Sequence, residues 1–245
     1  MVLRALVTRP KEDAEKVARS LRERGIEPVI EPMLSIRSIP NPAIDLVGVQ
    51  ALLFTSANGV RAFAAASKER ALPVFAVGEA TADAARLAGF DGVETAGGDV
   101  TSLASLVSRR LDPEKGALFH GAGNVSAGDL AGSLKRSGFM VKRTVLYEAV
   151  AAAEISPVST AFLRESGVIV ALFFSPRTAA TFVTLIRKAG LDGACRSMVA
   201  ICLSPAVAEA TRILPWRELR TAASPRWPAM LDEIDAALRH APRVM

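Results

Sequence analysis

Six short loops in this chain place a small polar residue just ahead of a helix-like stretch. They are Thr8-Arg9-Pro10, Thr55-Ser56-Ala57-Asn58-Gly59, Gly78-Glu79-Ala80-Thr81, Gly121-Ala122-Gly123-Asn124, Ser175-Pro176-Arg177-Thr178 and Leu203-Ser204-Pro205. The first turn of a helix leaves backbone N–H groups unpaired at the positive end of its dipole, so a hydroxyl beside it completes an anion site. Each charge-assisted hydrogen bond to a carboxylate is worth about 1.5–3 kcal/mol. A ligand with several carboxylates would therefore engage several loops at once. Taken one at a time, the same residues are ordinary helix caps worth about 1 kcal/mol each. Six of them in one chain favour a ligand.

Tyr147 is the only tyrosine in 245 residues. It follows the strand-like FMVKRTVL and reads by itself as an amphipathic residue half-buried at a domain junction. Other chemistries lack their parts. There is no Walker lysine loop, and Gly121-Ala122-Gly123 with Gly128 only faintly echoes a dinucleotide fingerprint. No GxSxG elbow occurs, and neither Ser56 nor Ser175 has a histidine nearby to act as base. His120 and His240 have no Cys, Asp or Glu at ligand spacing, so no metal site is expected. Cys195 and Cys202 suit neither a disulfide framework nor zinc.

Bulk properties narrow the classes further. Half the residues are hydrophobic but only 5% are aromatic, which favours helix-on-sheet layers over an aromatic binding face. The net charge of +5 comes from 30 Lys and Arg scattered among 25 acids, so no nucleic-acid partner is expected and a polyanionic small molecule fits equally well. The longest apolar run, GVIVALFF at 167–174, is too short to span a bilayer and suits a strand buried on both faces. Polar TRPKEDAEK directly after Val7 is not a signal-peptide pattern, and a cytoplasmic monomer is expected.

The elements that must position these loops come in pairs. LLFTSANGVRAF at 52–63 matches ALFFSPRTAATF at 171–182, and VFAVGEATADAA at 74–85 matches MVAICLSPAVAEA at 198–210. LVTRP and its helix up to Gly25 match LFHGAG and its helix up to Gly138. Repetition on this scale predicts two similar lobes with a cleft between them. Strands are expected at 2–7, through IEPVIEPML, and at 50–54, 73–77, 92–95, 116–120, 140–146, 168–174 and 198–202. Helices are expected after the first strand, near Asn58, Glu79, Thr101 and Ser126, and at about 177–189, 205–213 and 226–239. Alternating strands and helices predict an α/β fold with parallel sheets. Pro40 and Pro42 mark one hinge candidate, YEAVAAAEIS begins a second linker-like stretch, and the final APRVM reads as disordered.

In order and spacing, TRP at 8–10, FTSANGV at 54–60, VGEATA at 77–82, V-x-x-x-VLYEA ending at 149 and FFSPRTAATF at 173–182 resemble the uroporphyrinogen-III synthase family. The likeness covers nearly the whole chain, and HGAGN resembles the alphaproteobacterial branch. It implies two α/β lobes, each a parallel sheet flanked by helices, joined by a two-stranded linker. Residues 1–36 with 150–245 would form one lobe and 37–149 the other, with Ser56 and Ser175 facing each other across the cleft. The implied substrate is hydroxymethylbilane, a linear tetrapyrrole with acetate and propionate chains. The implied reaction expels its terminal hydroxyl as water and closes the macrocycle with ring D inverted, without metal or cofactor.

By the same likeness, Tyr147 would assist hydroxyl departure, since a phenol is protonated at neutral pH and can donate a hydrogen bond. Thr8, Arg9, Ser56, Asn58, Gly59, Gly78, Thr81, Ser175, Arg177 and Ser204 would bind substrate. Where relatives usually read IGxTTA, this chain has Ile201-Cys202-Leu203-Ser204-Pro205-Ala206. That departure favours an alternative, a non-catalytic two-lobed protein that binds or senses a small anion or tetrapyrrole.

Overall fold

A computed structural model describes residues 3–125, 128–165 and 170–239. Its strands are β1 (Leu3–Val7), β2 (Ile26–Ile30), β3 (Leu34–Ser38), β4 (Val49–Phe54), β5 (Val74–Ala76), β6 (Val93–Thr95), β7 (Ala117–Gly123), β8 (Val141–Ala151), β9 (Val170–Phe173), β10 (Val199–Cys202) and β11 (Glu218–Thr221). Its helices are α1 (Lys11–Arg22), α2 (Ala57–Ala66), α3 (Glu79–Leu87), α4 (Val100–Arg110), α5 (Leu130–Arg136), α6 (Pro157–Arg164), α7 (Pro176–Lys188), α8 (Pro205–Thr211) and α9 (Trp227–Arg239). None is long and apolar enough to cross a membrane.

The paired sequence segments become paired sheet positions. One sheet has the order β11-β10-β9-β1-β2, the other β3-β8-β7-β4-β5-β6. Superposing the repeats sets β9 on β4, β10 on β5 and β1 on β7, so the first sheet equals the second without β3. The first strand–helix–strand of the chain therefore completes the sheet of the last third. The chain divides accordingly into two compact units, residues 1–35 with 150–245 and residues 36–149. Its path passes between them twice.

Each sheet is parallel through its centre and covered on both faces, so its middle strands are mostly apolar. In β4, Leu52 and Phe54 pack against α2 and α3, while Ala51 and Leu53 meet α4 and α5. In β9, Ala171 and Phe173 face α7 and α8, and Val170 and Leu172 face α1 and α9. Period-2 alternation within a continuous apolar run is how a sandwiched strand reads. In α1, Ala14, Val17, Ala18 and Leu21 form the buried stripe, with Glu12 and Asp13 in the first turn and Arg19 and Arg22 in the last. Both charge placements favour the helix dipole. The turn that follows the helix ends at Gly25, whose φ of +71° suits glycine.

Three expectations are corrected. IEPVIEPML is not one strand: β2 joins the first sheet and β3 the second, because Pro32 and Met33 intervene. The linker-like stretch after Tyr147 does carry a passage between the units, at 149/150, but it is not without elements: β8 runs to Ala151 and α6 follows. The α6 cap, Ser156, accepts from Ser159 N at 3.2 Å and donates to Glu31, a buried carboxylate that also takes Ser156 N–H at 3.0 Å. Helix α5 starts at Leu130 behind its Asp129 cap, and Ser126 lies outside the described residues. So do Val168, Ile169, His240 and the final APRVM. Sequence reading missed β11 altogether.

Candidate active site

The loop after β4 turns on Ser56, which caps α2 by accepting the Gly59 N–H at 3.1 Å. The same Ser56 Oγ lies 2.7 Å from the Tyr147 hydroxyl. This contact joins two sequence-predicted site residues 91 positions apart in the chain. Tyr147 is not at a strand end, as the sequence suggested, but inside β8 and only 8% exposed.

Two devices bring the phenol there. The first is a bulge: Ala122 of β7 pairs with Val145, but the next residue, Gly123, pairs with Tyr147, leaving Leu146 as an extra residue. A one-residue insertion reverses which face the following side chain takes. The second is a set of close approaches that only glycine permits. A Cβ on Gly123 would lie 2.7 Å from Tyr147 Cζ, one on Gly121 would lie 2.7 Å from Phe54 and Leu146, and one on Gly59 would lie 2.7 Å from Gly121 O. Helix α2 and strand β8 can therefore close on β7 from either side. Asn124 pins the result, donating its N–H to Tyr147 O at 3.0 Å and accepting Ala149 N–H at 3.1 Å. Arg143 adds a bond to Gly123 O at 2.8 Å.

Gly121 to Asn124 is thus mostly strand, not the phosphate-binding turn that a dinucleotide fingerprint requires. Sequence reading placed Gly123 and Asn124 in a candidate anion loop and missed their part in seating Tyr147. The signal was present: glycines at alternate positions of a strand mark close approach by a neighbour.

The other expected residues divide by unit. In the unit of residues 36–149, Asn58 Oδ1 accepts from Arg61, Gly59 is buried, and Gly78 caps α3 without a side chain while Thr81 sits buried in its first turn. Gly59 thus packs α2 against β7, which is a different task from cradling an anion. In the other unit, Ser175 caps α7, accepting Thr178 N–H at 3.2 Å and lying 3.0 Å from the Thr178 hydroxyl. It repeats the geometry of Ser56. Arg9 stacks over Phe174, 4.7 Å from the ring centroid, and pairs with Asp13 at 3.4 Å. Arg177 lies in the first turn of α7, partly exposed. Thr8 is fully buried, and its hydroxyl donates to Leu172 O at 2.7 Å. It ties β1 to β9 and offers no proton to a ligand. Ser204 precedes the seven-residue α8 without a side-chain cap bond.

His120, on β7, is 4% exposed, and neither ring nitrogen has a partner among the described residues. Desolvation first, and the Arg143 charge second, lower its pKa to about 4, so it is neutral at physiological pH. Burial pushes the Cys202 thiol up to about 11 and the Cys195 thiol to about 12, leaving both unreactive as nucleophiles. No group of three His, Cys, Asp or Glu among the described residues could hold a metal ion.

Two units of matching sheet order, with hydroxyl-capped helices at the carboxyl ends of parallel strands, define a duplicated α/β protein class. The chain belongs to the uroporphyrinogen-III synthase family, whose model (uroporphyrinogen-III synthase HemD) matches residues 15–232. It is accordingly a cyclising lyase of porphyrin and haem biosynthesis, and nothing supports the non-catalytic alternative. The fold resembles that of uroporphyrinogen-III synthetase from Helicobacter pylori, with 17% identity, 97% of this chain and 100% of that chain covered, and a TM-score of 0.67. It also resembles a mutant uroporphyrinogen III synthase from Thermus thermophilus, with 19% identity, 97% and 99% coverage, and a TM-score of 0.60. No curated protein matches the sequence significantly.

Proposed function

We propose that Tyr147 drives the first step of ring closure on hydroxymethylbilane, the substrate that the family implies. The observation that carries this is the phenol held 2.7 Å from Ser56 at the N-terminus of α2, braced by Asn124 and seated on Gly123. In that step the bond between the terminal methylene and its hydroxyl breaks, its electron pair leaving on oxygen. Tyr147 supplies the proton that makes the departing group water. The pyrrole nitrogen supplies the replacing electrons and loses its N–H proton, which restores the phenol. The azafulvene left behind closes through a spiro intermediate to uroporphyrinogen III.

The rest of the task is to hold a flexible polyanion in one folded shape, which favours the inverted closure over the spontaneous one. Asn58, Gly78 and Thr81 in one lobe, beside the Ser56 cap, and Arg9, Ser175, Arg177 and Ser204 in the other, are the proposed carboxylate contacts. Thr8 and Gly59 support these loops from beneath. The lobes are taken as residues 1–36 with 150–245 and residues 37–149, in a cytoplasmic monomer that needs no nucleic acid.

The test is isomer analysis of the product formed from hydroxymethylbilane. The wild type is expected to give the type III isomer, and Tyr147→Phe to turn over slowly while keeping its circular dichroism spectrum. A product matching the spontaneous type I isomer would sink the functional reading. Full activity in the Tyr147→Phe protein would remove Tyr147 from the mechanism.

A further inference from the structure

The hydrogen bond between Ser56 and Tyr147 can run in either direction, and its direction decides what the phenol can do. Ser56 Oγ has one proton and two lone pairs. One lone pair is occupied by the Gly59 N–H, in the first turn of α2. Two arrangements of the 2.7 Å contact remain. If Tyr147 donates inward, its proton is spent on Ser56 and nothing is left for a leaving group. If Ser56 donates, the phenol oxygen accepts, and the phenol proton is free to point away from Ser56. Hydrogen bonds in such a chain polarise one another, so the second arrangement also makes the phenol a better donor.

Resting on the reading of Tyr147 given above, we propose that Ser56 is a positioning residue that acts through Tyr147 and not on the substrate. The relay runs from Gly59 N–H to Ser56 Oγ, from the Ser56 hydroxyl to the Tyr147 oxygen, and from the Tyr147 hydroxyl outward to the departing hydroxyl. Gly123 forms its floor. With Cβ absent there, the ring lies close enough to β7 for its oxygen to meet Ser56, and the β8 bulge turns it to that face. Ser175 has the same cap geometry in the other unit, but its hydroxyl meets Thr178 and no phenol. The two copies of the repeated serine thus differ in what they meet: one hydroxyl touches a phenol, the other a threonine of its own helix.

The chain's single tyrosine makes the relay directly observable, because protein labelled with tyrosine carrying 13C at Cζ gives one resonance. Three substitutions separate the possibilities. Ser56→Gly removes the hydroxyl at little cost to the helix, glycine being a tolerated cap. Ser56→Asp caps as well as serine but can only accept, so it draws the phenol proton inward. Ser56→Thr keeps the donor. We expect Ser56→Gly and Ser56→Asp each to shift the resonance and to lower kcat about tenfold or more, equivalent to one hydrogen bond, with KM held. Neither should lower activity further in a Tyr147→Phe background, and Ser56→Thr should retain most of it.

A raised KM with unchanged kcat, or losses that add to those of Tyr147→Phe, would place Ser56 on the substrate and overturn the relay. So would a fully active Ser56→Asp protein, or a resonance that none of the substitutions moves. Wild-type turnover by Tyr147→Phe would instead remove the parent reading. That failure is distinguishable, because Ser56→Gly would still shift the resonance.

Discussion

His120 makes the stability of this protein depend on pH in a way that one substitution should abolish. Its imidazole is 4% exposed with no partner among the described residues, and desolvation and Arg143 lower its pKa from 6.5 to about 4. In the unfolded chain it titrates near the ordinary value. Between these two pKa values the unfolded state binds the extra proton, so stability falls as the pH drops through 6.5 and the loss levels off below 4. At pH 5 the protonation factors are about 1 + 10^1.5 unfolded and about 1 + 10^−1 folded. Their ratio of about 30 corresponds to about 2 kcal/mol. His120→Leu places an apolar side chain in a layer already formed by Leu53 and Leu118. Urea unfolding followed by far-ultraviolet circular dichroism at pH 8 and pH 5 gives the loss in each protein. Every other titrating group is shared, so the difference between the two losses isolates His120. The wild type should lose about 2 kcal/mol more than the variant. Equal losses would refute a desolvated, neutral His120.

Two glycine substitutions test the close packing beneath Tyr147. Gly59→Ala sets a Cβ 2.7 Å from the backbone oxygen of Gly121, which cannot swing aside, so urea unfolding should show about 1–3 kcal/mol of destabilisation. A neutral result would mean that α2 and β7 are not pressed together there. Gly123→Ala sets a Cβ 2.7 Å from Tyr147 Cζ, and the side chain it meets can shift. The fold should survive, kcat should fall several-fold, and the single 13Cζ tyrosine resonance should move; an unshifted resonance would separate Gly123 from the phenol's placement.

Legibility in the sequence followed how local each cause was. The Ser56 and Ser175 caps were readable because a cap bonds to a backbone N–H three residues on, within one short window. The repeat was readable because each strand–turn–helix unit carries its own pattern. Residues 31–36 misled because Pro32 and Met33 separate strands of different sheets without any glycine or polar cluster to announce it. Helix α6 was missed although its Ser156 cap and Pro157 are local; only its anchor, Glu31, lies 125 residues away in the chain. Thr8 looked like a ligand hydroxyl by its type and place, but its partner is Leu172, on a strand that pairs with β1 only after folding.

By itself the sequence determined the alternation of elements, the doubled unit, the loops at strand ends and the singularity of Tyr147. These rest on periodicity, capping and composition, which act over a few residues or are simply counted. The tertiary structure decided that β1, α1 and β2 complete the sheet of the far end of the chain. It decided too that Gly121 and Gly123 make room for rings, and that one extra residue in β8 turns the tyrosine onto Ser56. Register and close approach depend on which strand lies alongside, and for β7 and β8 that pairing exists only once the sheet has formed.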